Sequence, residues 1–300
     1  MRIKAGSMKN GFKFGAHQFL WSERWTDDSH RLLEHVRKLG LDGMEISLGD
    51  DVSFAPAPVR KRAAELGLEL TVGPGNAWPM ECDISSDDPA HRERGLAWHR
   101  KILDRTAELG AAAYCGAIYG HPGRALRRRL PREEFERVAE NLHALAEQGA
   151  KLGVRLVIEP MSRFRTHIVN TAAQAVALVR AADHRNLLIN LDTYHMITEE
   201  RDYAAAIRTA GAKLWGLHAC ENDRGVPGGG LVPWRDVLAA LHEMQSDARV
   251  MFETYNTSGD FGFARGIFQN LCPDGDAFVR RGLEFLRQEI GRVENSAESR

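Results

Sequence analysis

The chain has 300 residues, 43% hydrophobic and 27% charged, proportions that exclude a disordered tract, a collagen-like repeat and a disulfide scaffold. With 40 basic side chains against 41 acidic ones the net charge is -1, so no general field draws in nucleic acid or an anionic membrane, and the expected partner is a small molecule. The four cysteines, Cys82, Cys115, Cys220 and Cys272, form no CxxC pair and fit a reducing cytoplasm, and no apolar run is long enough to cross a membrane.

In chain order, residues 1–11 read as a leader, since MRIKAGSMKNG contains no continuous apolar stretch and Met8 offers a second start. A strand is predicted over Lys13–Ala16, and then a helix over Ser29–Leu39 with Leu32, Leu33, Val36 and Leu39 on one face. Strands follow at Gly43–Ile46, Glu69–Val72 and Ala112–Ala117. The next helix, Arg132–Leu152, carries Phe135, Val138, Leu142, Leu145 and Ala146 as its apolar stripe. Four more strands are expected at Arg155–Ile158, Leu187–Leu191, Leu214–Leu217 and Val250–Phe252. The strings KLGLDGMEI, ELGLELTV, ELGAAAYCGA and KLGVRLVIE repeat one cadence, in which a helix ends at Leu-Gly and a strand begins. A closing helix is predicted over Asp276–Ile290, with residues 291–300 as a polar tail expected to fray.

Eight βα units without an internal linker predict an α/β chain of one domain, a (β/α)8 TIM barrel over residues 12–290. A doubly wound sheet would show fewer strands and a glycine-rich turn after the first. In a barrel, the residues that end each strand point into one shared bowl. Those positions hold Glu159, then Asp192 and His195, then His218, then Glu253. Singly, each has an ordinary alternative: Glu159 and Asp192 could cap helices, and His218 could be a satisfied interior imidazole. Together, three carboxylates in one bowl repel unless a cation neutralises them. Oxygen donors with a single imidazole suit one hard or borderline divalent ion per chain, Mn²⁺ first, with Mg²⁺ or Co²⁺ as alternatives.

The runs IEPMSRFRTHIVNTAAQAVALV, LDTYHMITEE, HACENDRGVPGGG and FETYN are similar to those of the ketose 3-epimerase family, within the xylose-isomerase-like TIM-barrel superfamily. The resemblance spans nearly the whole chain and is densest from DISSDDP onward. It implies a sugar isomerase that inverts a carbon beside a ketone through an enediolate. It further implies that Glu159, Asp192, His218 and Glu253 hold the metal, that Glu159 and Glu253 exchange the proton, and that His195 and Arg224 hold the sugar oxygens. By the same resemblance Trp21 and Trp78, with His17 and Phe19, wall the sugar site; a homo-oligomer, dimer or tetramer, is the expected assembly.

His121, in GHPGR after the fourth strand, stands at the mouth as a candidate substrate contact. Arg165 occupies a position where the family usually has Glu, in SRFRTH, which reverses a charge near the sugar and points to an anionic or oxo-bearing substrate. The basic stretch Arg124–Arg137 reads as a solvated loop and helix start, and VPGGG as a turn. Three other functions use overlapping features. A lyase, with a hetero-complex as its assembly, could expel an aglycone from a 3-oxo-glycoside by the same enolisation. A multi-metal endonuclease would need more imidazoles and a basic groove. A barrel that only binds sugar would not need both Glu159 and Glu253.

Overall fold

A computed structural model describes residues 11–75, 77–244 and 247–298; most of the expected leader, residues 1–10, and the last two tail positions, 299–300, lie outside the described residues. Eight parallel strands close into a barrel in sequence order: β1 (Lys13–His17), β2 (Gly43–Leu48), β3 (Glu69–Pro74), β4 (Ala113–Gly116), β5 (Arg155–Ile158), β6 (Leu187–Asp192), β7 (Leu214–Ala219) and β8 (Arg249–Phe252). Around them run α1 (His30–Lys38), α2 (Pro56–Leu66), α3 (Pro89–Glu108), α4 (Arg132–Leu152), α5 (Ala172–Ala182), α6 (Thr193–Glu199), α7 (Tyr203–Ala210), α8 (Trp234–Glu243), α9 (Asp260–Ala264) and α10 (Gly275–Glu298). All eight expected strands are present, and the architecture is the (β/α)8 barrel read from the sequence.

The repeated Leu-Gly cadence has a backbone cause. Gly40, Gly67, Gly110 and Gly153 have φ of 85°, 64°, 66° and 73°, left-handed values that let the chain leave a helix and turn into a strand without a Cβ clash. The helices bury most of their predicted stripes: Leu33 and Val36 in α1, and Val138, Leu142, Leu145 and Ala146 in α4, are fully covered, while Leu32, Leu39 and Phe135 are half-buried against the core. Strand alternation sends the other set of side chains inward, where Ala113, Cys115 and Val157 pack with Leu188 and Trp215. The same parity turns Glu45, Thr71, Asn190, His218 and Met251 toward the barrel axis.

Two differences from the sequence reading follow from packing. β2, β6 and β7 extend past their expected ends to Leu48, Asp192 and Ala219, because polar residues that interrupt an apolar run still complete the ladder. α10 continues past Ile290 to Glu298, since Val293 rests on the core and Arg292 pairs back onto Glu289, which outweigh the poor propensity of Gly291, Asn295 and Ser296; residues 291–298 are helix rather than a frayed tail. Between β6 and β7 the register shifts: Ile189 pairs with Leu214 and Asn190 with Gly216, leaving Trp215 as an extra residue in β7. No described helix is long and apolar enough to cross a membrane.

Candidate active site

The barrel places its polar residues by register. Asp192 and His218 are Cα partners across β6 and β7, which sets the two side by side on the inward face. Glu159 follows β5 and donates its N–H to the Gly116 carbonyl at 3.0 Å, while Glu253 follows β8 and reaches the Ala219 carbonyl at 3.4 Å. The ladder thus extends one residue beyond each strand, and the carboxylates stand on the rigid rim rather than on a loose loop. All four side chains are buried, and one ligand atom from each lies within 4.8 Å of the others.

The donor geometry fits a cation. His218 Nδ1 is 2.9 Å from Glu159 Oε2 and 3.3 Å from Glu253 Oε2. Arg224 Nη1 is 2.9 Å from Asp192 Oδ2 and 2.7 Å from Glu253 Oε2. Despite that closeness, Asp192 Oδ2 and His218 Nδ1 have no partner in hydrogen-bond geometry, although both are buried. Two orphaned buried polar atoms set close together among carboxylates are a donor set suited to a cation. The set supports a divalent ion. Asp192 also does what its ordinary alternative proposed: Oδ1 accepts the Tyr194 N–H at 2.8 Å and caps α6, leaving Oδ2 for the site.

Electrostatics separate the two glutamates. Burial pushes Glu159 above the usual carboxylate range, only partly opposed by His218. Burial acts on Glu253 too, but Arg224 and His218 outweigh it and hold Glu253 well below that range. Burial alone would lower His218, yet Glu159, Glu45 and Glu253 surround it and raise it well above an ordinary imidazole. Arg224 sits at a φ of 74°, an uncommon conformation for a non-glycine residue, fixed by its carbonyl accepting from Thr254 Oγ1 at 2.8 Å and by a guanidinium face 4.2 Å from the Tyr194 ring.

In front of these groups opens a cavity of about 180 Å³. Its wall includes Phe19, Trp78, Met161 and Tyr255, its floor Glu45, Glu159, His218 and Glu253, and its rim Arg165 and Arg265. Of the predicted contacts, Trp78, His121 and Arg165 line it, while Asp192, His195 and Arg224 stand directly behind the lining. His195 Nδ1 accepts the Ser162 N–H at 3.3 Å, which leaves Nε2 to carry the proton. His121 has both nitrogens engaged, Nε2 with the Trp78 carbonyl at 2.9 Å and Nδ1 with the Gly123 N–H at 3.0 Å, so it offers the cavity only its ring. Trp21 is absent from the wall: its Nε1 donates to Asp276 Oδ1 at 2.8 Å and its ring stands edge-on to His35, tying β1's exit to α10.

One residue at the floor of the cavity was not predicted. Glu45 lies inward on β2, accepts from Thr71 Oγ1 at 3.0 Å, and places Oε2 3.4 Å from His218 Nε2, the nitrogen that faces away from the orphaned site. A carboxylate on the far nitrogen orients a metal-binding imidazole and strengthens it as a donor. His17 Nε2, at 3.7 Å, completes the group around Glu45.

The family model described as the xylose isomerase-like TIM barrel matches residues 33–289. D-psicose 3-epimerase of Agrobacterium fabrum is 30% identical over 93% of this chain and 99% of its own. Ketose 3-epimerase of Arthrobacter globiformis is 30% identical over 94% and 98%. Among solved structures, an L-ribulose 3-epimerase superposes with a TM-score of 0.87 at 29% identity, covering 96% of this chain and 97% of that one. A D-psicose 3-epimerase solved in the presence of D-fructose superposes with a TM-score of 0.83 at 30% identity, covering 93% and 100%. The closed barrel, its carboxylate-rich mouth and these relatives define a sugar isomerase or epimerase. More narrowly, the chain belongs to the ketose 3-epimerases of the xylose isomerase-like TIM-barrel family.

Proposed function

We propose that the protein is a divalent-metal-dependent ketose 3-epimerase, with Glu159, Asp192, His218 and Glu253 as ligands and Glu159 and Glu253 also as its proton-transfer pair. A divalent ion there, Mn²⁺ before Mg²⁺ or Co²⁺, would supply the Lewis acid that makes a C–H beside a ketone removable. The protein's own groups do the rest. Glu159 and Glu253 come from strands three apart in an eight-strand ring, so they approach a small ligand from different sides. That is the arrangement needed for one to remove a proton and the other to return it to the opposite face. His195 and Arg224 are assigned to hold the sugar oxygens as charge develops on them; they stand behind the lining, against Asp192, with Arg224 also on Glu253, so a bound sugar would have to draw them forward. Trp78 supplies an apolar wall that orients the sugar ring or chain.

The observation that carries the proposal is the buried four-donor cluster with its two orphaned atoms. The elimination reading is not favoured, because the relatives reported above are named epimerases. We place the enzyme in a reducing cytoplasm, supported by four unpaired buried cysteines, and in a homo-oligomer, supported by Phe164, Leu231 and Phe268, which are 74%, 72% and 78% exposed. The test is proton NMR of ketoses in D₂O with Mn²⁺-loaded enzyme: deuterium enters the carbon beside the ketone, and Glu159→Gln or Glu253→Gln slows that exchange by about a hundredfold or more. Exchange at wild-type rates in both variants, measured at saturating Mn²⁺, refutes the two-acid assignment.

A further inference from the structure

The floor and the rim of the cavity carry opposite charge. Glu45, Glu159 and Glu253 lie at the floor, and at the rim stand Arg165, on the loop after β5, and Arg265, which ends α9 after β8. Both arginines are exposed, and among the described residues neither has a carboxylate within ion-pair distance. Other arginines near the mouth are spent within the fold. Arg163, two positions before Arg165, forks onto Glu199 at 3.0 Å. Arg124 reaches Asp83 and Ser86, and Arg224 is held between Asp192 and Glu253.

The two rim arginines are instead pre-positioned. The backbone N–H of Arg165 donates to the Ser162 carbonyl at 2.8 Å, which fixes its place on the loop and leaves its side chain free. The guanidinium of Arg265 lies 5.6 Å from the centre of the Phe261 ring. Their charges face one space, since both side chains line the same cavity of about 180 Å³, with Tyr255 in its wall. Two cations facing one small cavity repel each other, and an anion bound between them removes that repulsion while each fork meets two oxygens.

We propose that this rim receives the anionic end, a carboxylate or a phosphate monoester, of an acidic ketose whose ketone end reaches Glu159 and Glu253. The inference rests on the epimerase reading above and specifies its substrate class. D-Fructose, D-fructuronate and D-fructose 6-phosphate test it, because they share five carbons and differ only at the sixth.

With Mn²⁺-loaded enzyme at low ionic strength, kcat/KM for at least one of the two acids exceeds that for D-fructose by about tenfold or more, the scale of a charge-assisted pair. The better acid identifies carboxylate or phosphate. That advantage falls about tenfold in Arg165→Gln and in Arg265→Gln, and it shrinks in the wild type as salt is raised. D-Fructose turned over as well as both acids, or an advantage untouched in both variants, overturns the proposal. Should none of the three exchange deuterium, the epimerase reading fails on its own. Calorimetric titration of the same compounds then still decides the rim: tighter binding of an acid, lost in the two variants, supports it, and equal binding overturns it.

Discussion

Replacing Glu45 by Gln removes a charge while keeping size, packing and the bond donated by Thr71 Oγ1. What changes is the group facing His218 Nε2 at 3.4 Å. Removing such a carboxylate partner of a metal-binding imidazole typically costs 10- to 100-fold in metal affinity, or about 1.4 to 2.7 kcal/mol. Here the contact is long and Glu45 is shared with Thr71 and His17, so the lower part of that range is expected, about 10- to 30-fold. Titration calorimetry with Mn²⁺ on the stripped protein at neutral pH measures it directly, and Glu45→Asp, which keeps the charge on a shorter arm, recovers part of the loss. The metal-free variants should melt close to the metal-free wild type, which separates an effect on the imidazole from a damaged barrel. Mn²⁺ dissociation constants within twofold of wild type for Glu45→Gln would refute the argument and leave Glu45 as a packing residue.

Two further outcomes are expected. Stripping the metal with EDTA abolishes deuterium exchange and lowers the melting temperature, because an ion at about a hundred times its dissociation constant adds about 2.7 kcal/mol; an unchanged melting curve after verified removal contradicts the four-ligand site. At the opposite end of the barrel, Glu69 accepts hydrogen bonds from Lys13 and Arg249, which outweigh burial and hold its pKa below the ordinary carboxylate value. Its contribution is therefore complete above about pH 4.3, the unfolded value, and is lost as pH falls through the lower folded one. Glu69→Gln should cost about 1 to 2 kcal/mol at pH 7 in urea melts, with the difference narrowing below about pH 4; a difference independent of pH counts against the pairing.

Local pattern made the barrel and most of the site readable. Strand ends, helix stripes and the Leu-Gly turns are short-range features, and Glu159, Asp192, His218 and Glu253 each follow an apolar run closely enough to be seen. Glu45 escaped because it lies inside such a run, between Met44 and Ile46, and only ring closure brings it beneath His218. Trp21 was misplaced for a related reason: its partner Asp276 is 255 positions away and has no local signature. His121 sits at the mouth as expected, but its ring nitrogens are already satisfied by Trp78 and Gly123, which sequence spacing does not reveal. Arg265 and Tyr255 joined the cavity through the chain's return after β8, a path that periodicity does not describe. The helical continuation beyond Ile290 was hidden by its polarity, which Val293 interrupts only once.

The extra residue in β7 also governs where this chain can change length. Leu214 faces the helices and Gly216 the axis, so with Trp215 removed the strand would alternate regularly and Asn190 would still pair with Gly216. Loss of Leu217 with the extra residue kept would instead turn the imidazole toward the helices and dismantle its alignment with Asp192, and loss of Gly216 would press Trp215 into a place where a Cβ meets the Arg249 carbonyl at 2.8 Å. Trp215 is thus where a shorter relative could arise without scrambling the mouth, at the expense of the indole that lies 3.7 Å beneath Arg249 and helps fill the barrel interior.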